Sequence, residues 1–534
     1  MLFVSDPAIQ LKIDRMKQRV QWQHPEFLKQ AIDQTRLVLE AGLPEEPPEG
    51  DPEETPEDDS SDAFSFFVLG DSGAGDHRGE SPQRLMARWL MANIDDCRFG
   101  LHTGDLVYLV GSEDHYFDNF IKPYREWLVG GETPDQIAFD QMTFKRPFLP
   151  VLGNHDYYDI PRPYGILSKL LSPLKALIQY KIDIDYGWRG SYQGDVYARA
   201  FLDYLKGFGP AQLEAHLAQH YTAKTDTGRC LNYQPGQFTR LPNRYYTFRQ
   251  GGIDFFALDS NTFNSPIPLS QTPEGELQRQ QLVNQRQRLM SQKQAQLGNL
   301  SPQASDDSAD EIYVKVEQLD EQLKDIDMRL SQQSSIVDFE QLDWLKQRLI
   351  HSWQTGGRGR VVYFHHPPYV TEESKWDQGQ TLAVRHHLRR VLDQVQNRLG
   401  DQCGNRPVVD LIINGHAHCF EYIQTLDTGH ADSHTHCLIC GGSGFSLRRQ
   451  RPEGATLTEV IGGKSQQVAR SQQFVGRNGR GNEKRRPYSA LRIEVQPGTP
   501  PRFTVRPYVV EQYRQKWQTQ TLPPIDITPG LKSV

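Results

Sequence analysis

The chain has 534 residues, enough for a large core with decorations and for one to three domains, and a formal net charge of -8. That balance excludes a general electrostatic case for nucleic acid or an anionic membrane as partner. Six cysteines are too few for a disulfide scaffold at this length. No window approaches the ~18 apolar residues of a membrane span, and the start "MLFVSDPAIQLKIDRMK" lacks a basic leader and a long apolar stretch. The expectation is a cytoplasmic protein with reduced cysteines.

In chain order, residues 7 to about 42 have apolar side chains at helical spacing, among them Ile13, Met16, Val20, Phe27, Ile32 and Leu37. An N-terminal helical segment over 1–44 follows. "LPEEPPEGDPEETPEDDSSD" is acidic, proline-rich and nearly free of apolar residues, which predicts a disordered linker over 45–62. The main body, 63–515, opens with the strand "FSFFVLGDSG", then a helix from Pro82 to Ile94, then "FGLHTGDLVY" and "RPFLPVLGNHD". The stretch 157–242 gives no clear core element. "NRYYTFRQGGIDFFALDSN" predicts two strands around a Gly-Gly turn. "RVVYFHHPPY" and "DLIINGHAH" are further strand-to-loop transitions. Between them Val384, Leu388, Val391, Leu392, Val395 and Leu399 mark one helix face. Alternating strands and helices imply layered α/β architecture. Residues 516–534 read as a C-terminal tail.

A glutamine-rich block interrupts the body. Ile312, Val316, Leu319, Leu323, Ile326 and Leu330 form a heptad seam, and Val283, Met290 and Leu297 step by seven. The pattern predicts an antiparallel, coiled-coil-like helical hairpin inserted over 264–336. Its other faces are almost wholly polar, so a projecting hairpin is favoured over an amphipathic pair lying on the body. As a projection it would offer a surface for a protein partner or self-association.

Five apolar runs end alike, on a small group of Asp, Asn or His. They are "GDSG" with Asp71, "GDLVY" with Asp105 and Tyr108, "GNHD" with Asn154 and His155, "VYFH" with His365, and "GHAH" with His416 and His418. In an open α/β sheet, ligands bind at the carboxyl ends of strands, where loops bring distant residues together. Carboxylates, imidazoles and an amide oxygen suit Fe, Mn or Zn. A pair of such ions clamps the attacking and leaving oxygens of a phosphoryl displacement.

The series resembles the calcineurin-like metallophosphoesterase superfamily and, within it, the purple acid phosphatases, whose pattern is GDxG, GDxxY, GNH[DE], VxxH and GHxH. "ALDSN" and "EQLDWLKQRL" also look like family segments. Two details point to the purple acid branch: Gly73 stands where most of the superfamily carries a metal-binding histidine, and Tyr108 can replace it. The resemblance implies a four-layer α/β/β/α sandwich and two metal ions, Fe(III) with Fe, Zn or Mn(II). Asp71, Tyr108 and His418 would hold the first ion, Asn154, His365 and His416 the second, and Asp105 would bridge. His155 would serve the substrate as a catalytic residue and not bind metal. A metal-bound hydroxide would hydrolyse phosphate esters, monoesters first, on a phosphorylated small molecule or phosphoprotein. A phosphodiesterase is the nearest rival, and a non-catalytic interaction protein using the hairpin is another. The family's further substrate-binding histidine has no clear counterpart in "HHPPYVTEESKWDQGQ", where only His366 offers itself.

Two other clusters have plainer readings. "HTHCLIC" (434–440) lacks a second Cys-x-x-Cys and reads as a buried strand before a glycine turn. The basic residues from Lys464 to Arg486 read as a solvated loop, with attraction of an anionic substrate as the alternative.

Overall fold

The computed structural model describes residues 5–40, 63–73, 81–160, 190–299, 306–461, 463–514 and 516–530. The acidic stretch expected as a linker lies outside them. Two sheets face each other. The smaller runs β17 (Lys516–Thr521), β16 (Arg502–Tyr513), β15 (Arg485–Gln496), β2 (Phe64–Leu69), β3 (Cys97–His102), β4 (Phe148–Pro150), with β18 (Ile525–Ile527) also on β16. The larger runs from β13 (Thr456–Ile461) through β14 (Lys464–Val475), β11 (Phe420–Thr425), β12 (His436–Cys440), β10 (Leu411–Asn414) and β9 (Gly359–Phe364). It continues through β8 (Ile253–Ala257), β7 (Tyr246–Gln250), β1 (Ile32–Leu39) and β6 (Gly228–Tyr233) to β5 (Ala223–Thr225).

The central strands are continuous apolar runs because both their faces are covered. Every residue of β2, β8 and β9 is buried. Aromatic rings join the two sheets: Phe66 stacks on Phe99 at 5.0 Å, Phe99 meets Phe255 edge-on at 5.2 Å, and Phe255 stacks on Phe248 at 4.8 Å. Outside the large sheet lie the helices Phe339–Gln354 and Gly379–Leu399, whose Leu345, Leu349, Val384, Leu388 and Val391 pack on Val362, Phe364 and Ile412. The helix Pro82–Met91 covers the small sheet, capped at its start by the Ser81 hydroxyl. The result is the α/β/β/α sandwich.

Several segments differ from their sequence expectation. Helix over 7–42 gives way to two helices, Ile9–Arg19 and Pro25–Lys29, followed by β1. Ile32 and Leu37 do not face a helix core: β1 pairs in parallel with β6 and β7, and that pairing overrides a local pattern too short to separate the two periods. The basic run 464–486 is not a loop but β14, a turn and the start of β15. β17 and β18 carry the small sheet past residue 515 into the stretch expected as a tail. Within 157–242, helices Asp195–Phe201 and Pro210–His220 precede β5 and β6, while 161–189 lie outside the described residues. "HTHCLIC" contains the wholly buried β12.

The insertion forms two helices, Pro273–Gly298 and Asp306–Ser331, but it does not project. Its second helix lies on the body, with Asp325 accepting from Gly379 N at 2.8 Å and Arg329 donating to Asp377 O at 3.1 Å. The seam also shifts by one residue. Leu282 and Leu289 meet Leu319 and Ile326, whereas Val283, Met290 and Leu297 are 44%, 41% and 43% exposed. Apolar residues at both 282/283 and 289/290 repeat every seven, so spacing alone does not select the face.

Candidate metal centre

All five motifs sit just beyond the carboxyl ends of parallel strands. β2, β3 and β4 run parallel in the small sheet and deliver Asp71, Asp105 with Tyr108, and Asn154 with His155. β9 and β10 run parallel in the large sheet and deliver His365, His416 and His418. The turns are tied to their neighbours within each sheet, Asp71 N donating to Gly104 O at 2.9 Å and Gly415 N to His365 O at 3.0 Å, and across the sandwich by His416 N, which donates to Asp71 Oδ2 at 2.9 Å.

Three of these residues, Asp71, Asp105 and His416, have positive φ of 51°, 56° and 66°. A non-glycine residue held in the left-handed region costs on the order of 1–3 kcal/mol, and such strain concentrates at functional sites. Here it turns side chains inward that an extended backbone would send outward. Glycine makes room beside them. A Cβ on Gly153 would lie 2.0 Å from Asp105 Oδ1, and one on Gly73 would meet Leu106 O at 2.6 Å and Val107 Cα at 2.7 Å. No histidine fits at position 73.

The donor atoms form two groups that share Asp105. In the first, Tyr108 Oη lies 2.8 Å from Asp105 Oδ2, 3.0 Å from Asp71 Oδ1 and 3.3 Å from His418 Nε2. His418 Nε2 is 3.6 Å from Asp71 Oδ1. In the second, His365 Nε2 lies 2.9 Å from Asn154 Oδ1 and 3.4 Å from Asp105 Oδ2, and His416 Nδ1 lies 2.9 Å from Asn154 Oδ1 and 3.2 Å from His365 Nε2.

The imidazoles are oriented from behind. His365 Nδ1–H donates to Thr103 O at 2.8 Å, His418 Nδ1–H to Ser446 O at 2.9 Å, and His416 Nε2–H to Gln378 Oε1 at 3.0 Å. Each acceptor fixes a proton on the outer nitrogen, so the inner nitrogen presents a lone pair to the cluster. This is the outer support that metal-ligating histidines require. Three nitrogen lone pairs, two carboxylates and an amide oxygen converging in a buried space repel one another unless a cation stands among them. The donor set therefore fits bound metal.

The electrostatics agree. Burial raises the Asp71 carboxyl well above the usual range, and the neighbouring Asp105 charge adds to this. Burial disfavours the His365 imidazolium, yet Asp105 and Asp71 outweigh it and push the group up to about 9, so that without a metal a proton takes the inner nitrogen where a cation would otherwise stand. Burial, then Asp105 and Asp71, hold the Tyr108 hydroxyl well above the usual phenol range, so its ionised form needs a strong cation.

His155 is placed differently. Its Nδ1–H donates to Leu109 O at 2.6 Å, and its ring lies 4.2 Å from that of Tyr108 and 4.8 Å from that of Tyr158. Its backbone N–H donates to Asp105 Oδ1 at 2.8 Å. Burial lowers its pKa, with Asp105 and the Leu109 carbonyl pulling the other way. His366 has both ring nitrogens engaged, Nδ1 with Ser260 Oγ at 2.8 Å and Nε2 with Asn264 Nδ2 at 3.1 Å.

Sequence reasoning passed over four positions. Asp156 accepts from the backbone N–H groups of Asp105, Leu106 and Gly153 at 3.0, 3.2 and 2.8 Å, which holds the turn that carries Asp105. Phe445 stacks on Tyr108 at 3.9 Å with the rings 6° from parallel. Gln378 occupies the segment in which the resemblance places a further histidine. Arg448 N donates to His418 O at 3.0 Å. Only Asp156 left a signal, as the last residue of "GNHD".

No family model matches the chain, and no curated protein matches it. Solved structures do. A purple acid phosphatase from yellow lupin (Lupinus luteus) seeds is 11% identical with a TM-score of 0.38, over 86% of this chain and 53% of that one. The chain thus spans about half the length of the lupin chain. GAP50, the anchor in the inner membrane complex of Plasmodium, is 13% identical with a TM-score of 0.33, over 87% and 89%. Neither likeness carries an argument by itself. It is by the five motifs and the lone-pair geometry they produce that the chain resembles the calcineurin-like metallophosphoesterases, in their purple acid phosphatase-like branch.

Proposed function

We propose that the protein is a binuclear metal-dependent phosphoesterase acting on phosphate monoesters. The observation that supports this most is the pair of donor groups sharing Asp105 Oδ2, with three imidazoles oriented from behind. Asp71, Tyr108 and His418 would hold one ion, Asn154, His365 and His416 the other, and Asp105 both. The phenol and two carboxylates suit a trivalent first ion, while the amide and imidazoles suit a divalent second. Two ions so held would supply activation of the attacking water and a clamp on the attacking and leaving oxygens.

The remaining chemistry belongs to the chain. His155 Nε2 faces away from the Leu109 carbonyl and would carry the proton for the leaving oxygen. A phosphate dianion beside it restores the charge that burial disfavours. Asp156 keeps Asp105 and His155 in register by holding their turn.

The test joins metal analysis with turnover. Protein reconstituted with iron, manganese or zinc is assayed on p-nitrophenyl phosphate and, in parallel, on its bis-ester. Two ions per chain and monoester turnover are expected, both lost in Asp105→Asn, because a neutral amide bridges two cations poorly. Full activity with two ions still bound to Asp105→Asn would rule out the bridge. Faster bis-ester turnover would move the reading to a phosphodiesterase.

A further inference from the structure

Beside the donor groups, two buried cations meet one carboxylate of the inserted hairpin. Glu321, on the second hairpin helix, places Oε2 3.1 Å from Lys375 Nζ and Oε1 3.6 Å from Arg448 Nη2. Glu317, one turn earlier, accepts from Arg448 Nη2 at 3.0 Å. Lys375 and Arg448 are 5% and 2% exposed. Both are tied to residues of the metal centre. Arg448 N donates to His418 O at 3.0 Å, and Lys375 O accepts from Gln378 N at 3.2 Å in the turn whose Gln378 side chain holds His416.

Burying an ammonium and a guanidinium is costly unless an anion compensates them. Placing them beside a centre built for two more cations raises that demand. An anion with two oxygens directed at Lys375 and Arg448 meets it, and in this structure the Glu321 carboxylate is that anion. Arg448 Nε is buried and makes no hydrogen bond, so the guanidinium keeps an unused donor. A phosphate has one more oxygen than a carboxylate to offer it.

We propose that Lys375 and Arg448 form the seat for the anionic oxygens of a phosphate-containing substrate, and that Glu321 occupies this seat as an internal competitor. The inserted hairpin is then a regulatory cover: substrate binds fully only when the second hairpin helix moves off. The apparent affinity for phosphate is the intrinsic affinity reduced by the fraction of molecules with the seat open. This rests on the phosphoesterase reading above.

The test titrates inorganic phosphate calorimetrically into metal-loaded protein and follows hydrogen exchange over residues 306–331. Phosphate should speed exchange in this helix. Glu321→Gln should tighten phosphate binding by about three- to tenfold, the effect of one lost competing ion pair. Lys375→Gln should weaken it by at least about tenfold, as loss of a charged hydrogen bond does. Circular dichroism establishes that each variant is folded, and Glu317→Gln, which removes the hydrogen-bonded partner of Arg448, should likewise tighten phosphate binding. Unchanged or weaker phosphate binding in folded Glu321→Gln, or exchange unaltered by phosphate, would overturn the proposal. Absence of ester turnover in wild type, with phosphate binding still governed by Glu321 and Lys375, would sink the phosphoesterase reading and leave the seat standing.

Discussion

At the scale of single residues, the orientation of each donor decides the chemistry, and His155 is the sharpest case. It neighbours Asn154 in sequence, yet its Nδ1–H is taken by Leu109 O and its ring leans on Tyr108 and Tyr158. His155→Asn should leave metal stoichiometry near wild type and lower kcat by about 10²–10⁴, the span of general acid–base help. Metal loss measured in that variant would make His155 a ligand. Tyr108 offers a spectroscopic counterpart. Its hydroxyl stands between Asp71, Asp105 and His418, and burial with two carboxylates keeps it protonated in the absence of a cation. Iron-loaded, oxidised protein should show a visible charge-transfer band, and Tyr108→Phe should bleach it and weaken the first ion's binding. A colourless iron-loaded wild type, with full metal and activity in Tyr108→Phe, would remove Tyr108 from the ligand set. The positions of these side chains were legible in sequence because each stands where an apolar run meets glycine. Gln378, Arg448 and Glu321 were not, because no local pattern marks a residue that acts on a site formed by other segments.

At the scale of elements, the inserted hairpin shows where periodicity stops informing. Spacing of seven finds the helices but selects neither the seam nor the neighbour, and polar faces do not imply solvent. Asp325, Arg329, Glu317 and Glu321 are polar because the body opposite them supplies Gly379 N, Asp377 O, Arg448 and Lys375. The ends of the insertion nevertheless meet: Asp338 N donates to Thr262 O at 3.0 Å, and the Asp338 carboxylate is held by the buried Arg244, which also binds Asp259 at 3.2 Å. Replacing 265–336 with a short Gly/Ser loop should therefore leave a folded protein. The new loop closes a short gap; the insertion takes with it the Asp325 cap on the helix from Gly379, about 1 kcal/mol, and the Glu317 and Glu321 partners of Arg448 and Lys375, whose charges the departing helix opens to water. Because Glu321 leaves with the insertion, KM for p-nitrophenyl phosphate should fall while kcat is retained. A folded but inactive product would mean that the hairpin completes the site and does not merely cover it.

At the scale of the whole molecule, the N-terminal residues are part of the sandwich although the acidic segment 45–62 separates them from it in sequence. β1 stands between β7 and β6, so among the described residues β5 and β6 join the large sheet through β1 alone. The flanking helices seat Met16, Val20 and Phe27 in the main core, and β1 adds Leu37; all four side chains are at most 1% exposed. Burying each contributes roughly 1.5–3 kcal/mol, and four together rival the ~5–15 kcal/mol that separates a folded domain from its unfolded chain. The helix Ile9–Arg19 also reaches toward the end of the sheets that carries the donor groups, where Lys12 lies 5.1 Å from the Tyr157 ring and pairs with Asp6 at 2.7 Å. A chain lacking residues 1–40 should thus fail to fold cooperatively, because its loss strips one side of β7 and strands β5 and β6. The expected observation is aggregation on expression, or a thermal transition that is broad and shifted down by far more than the few degrees of a point mutation. A soluble truncated chain with the wild-type Tm would show instead that 1–40 is an appended segment, as the sequence pattern had suggested, and that β7 serves as the natural edge of the large sheet.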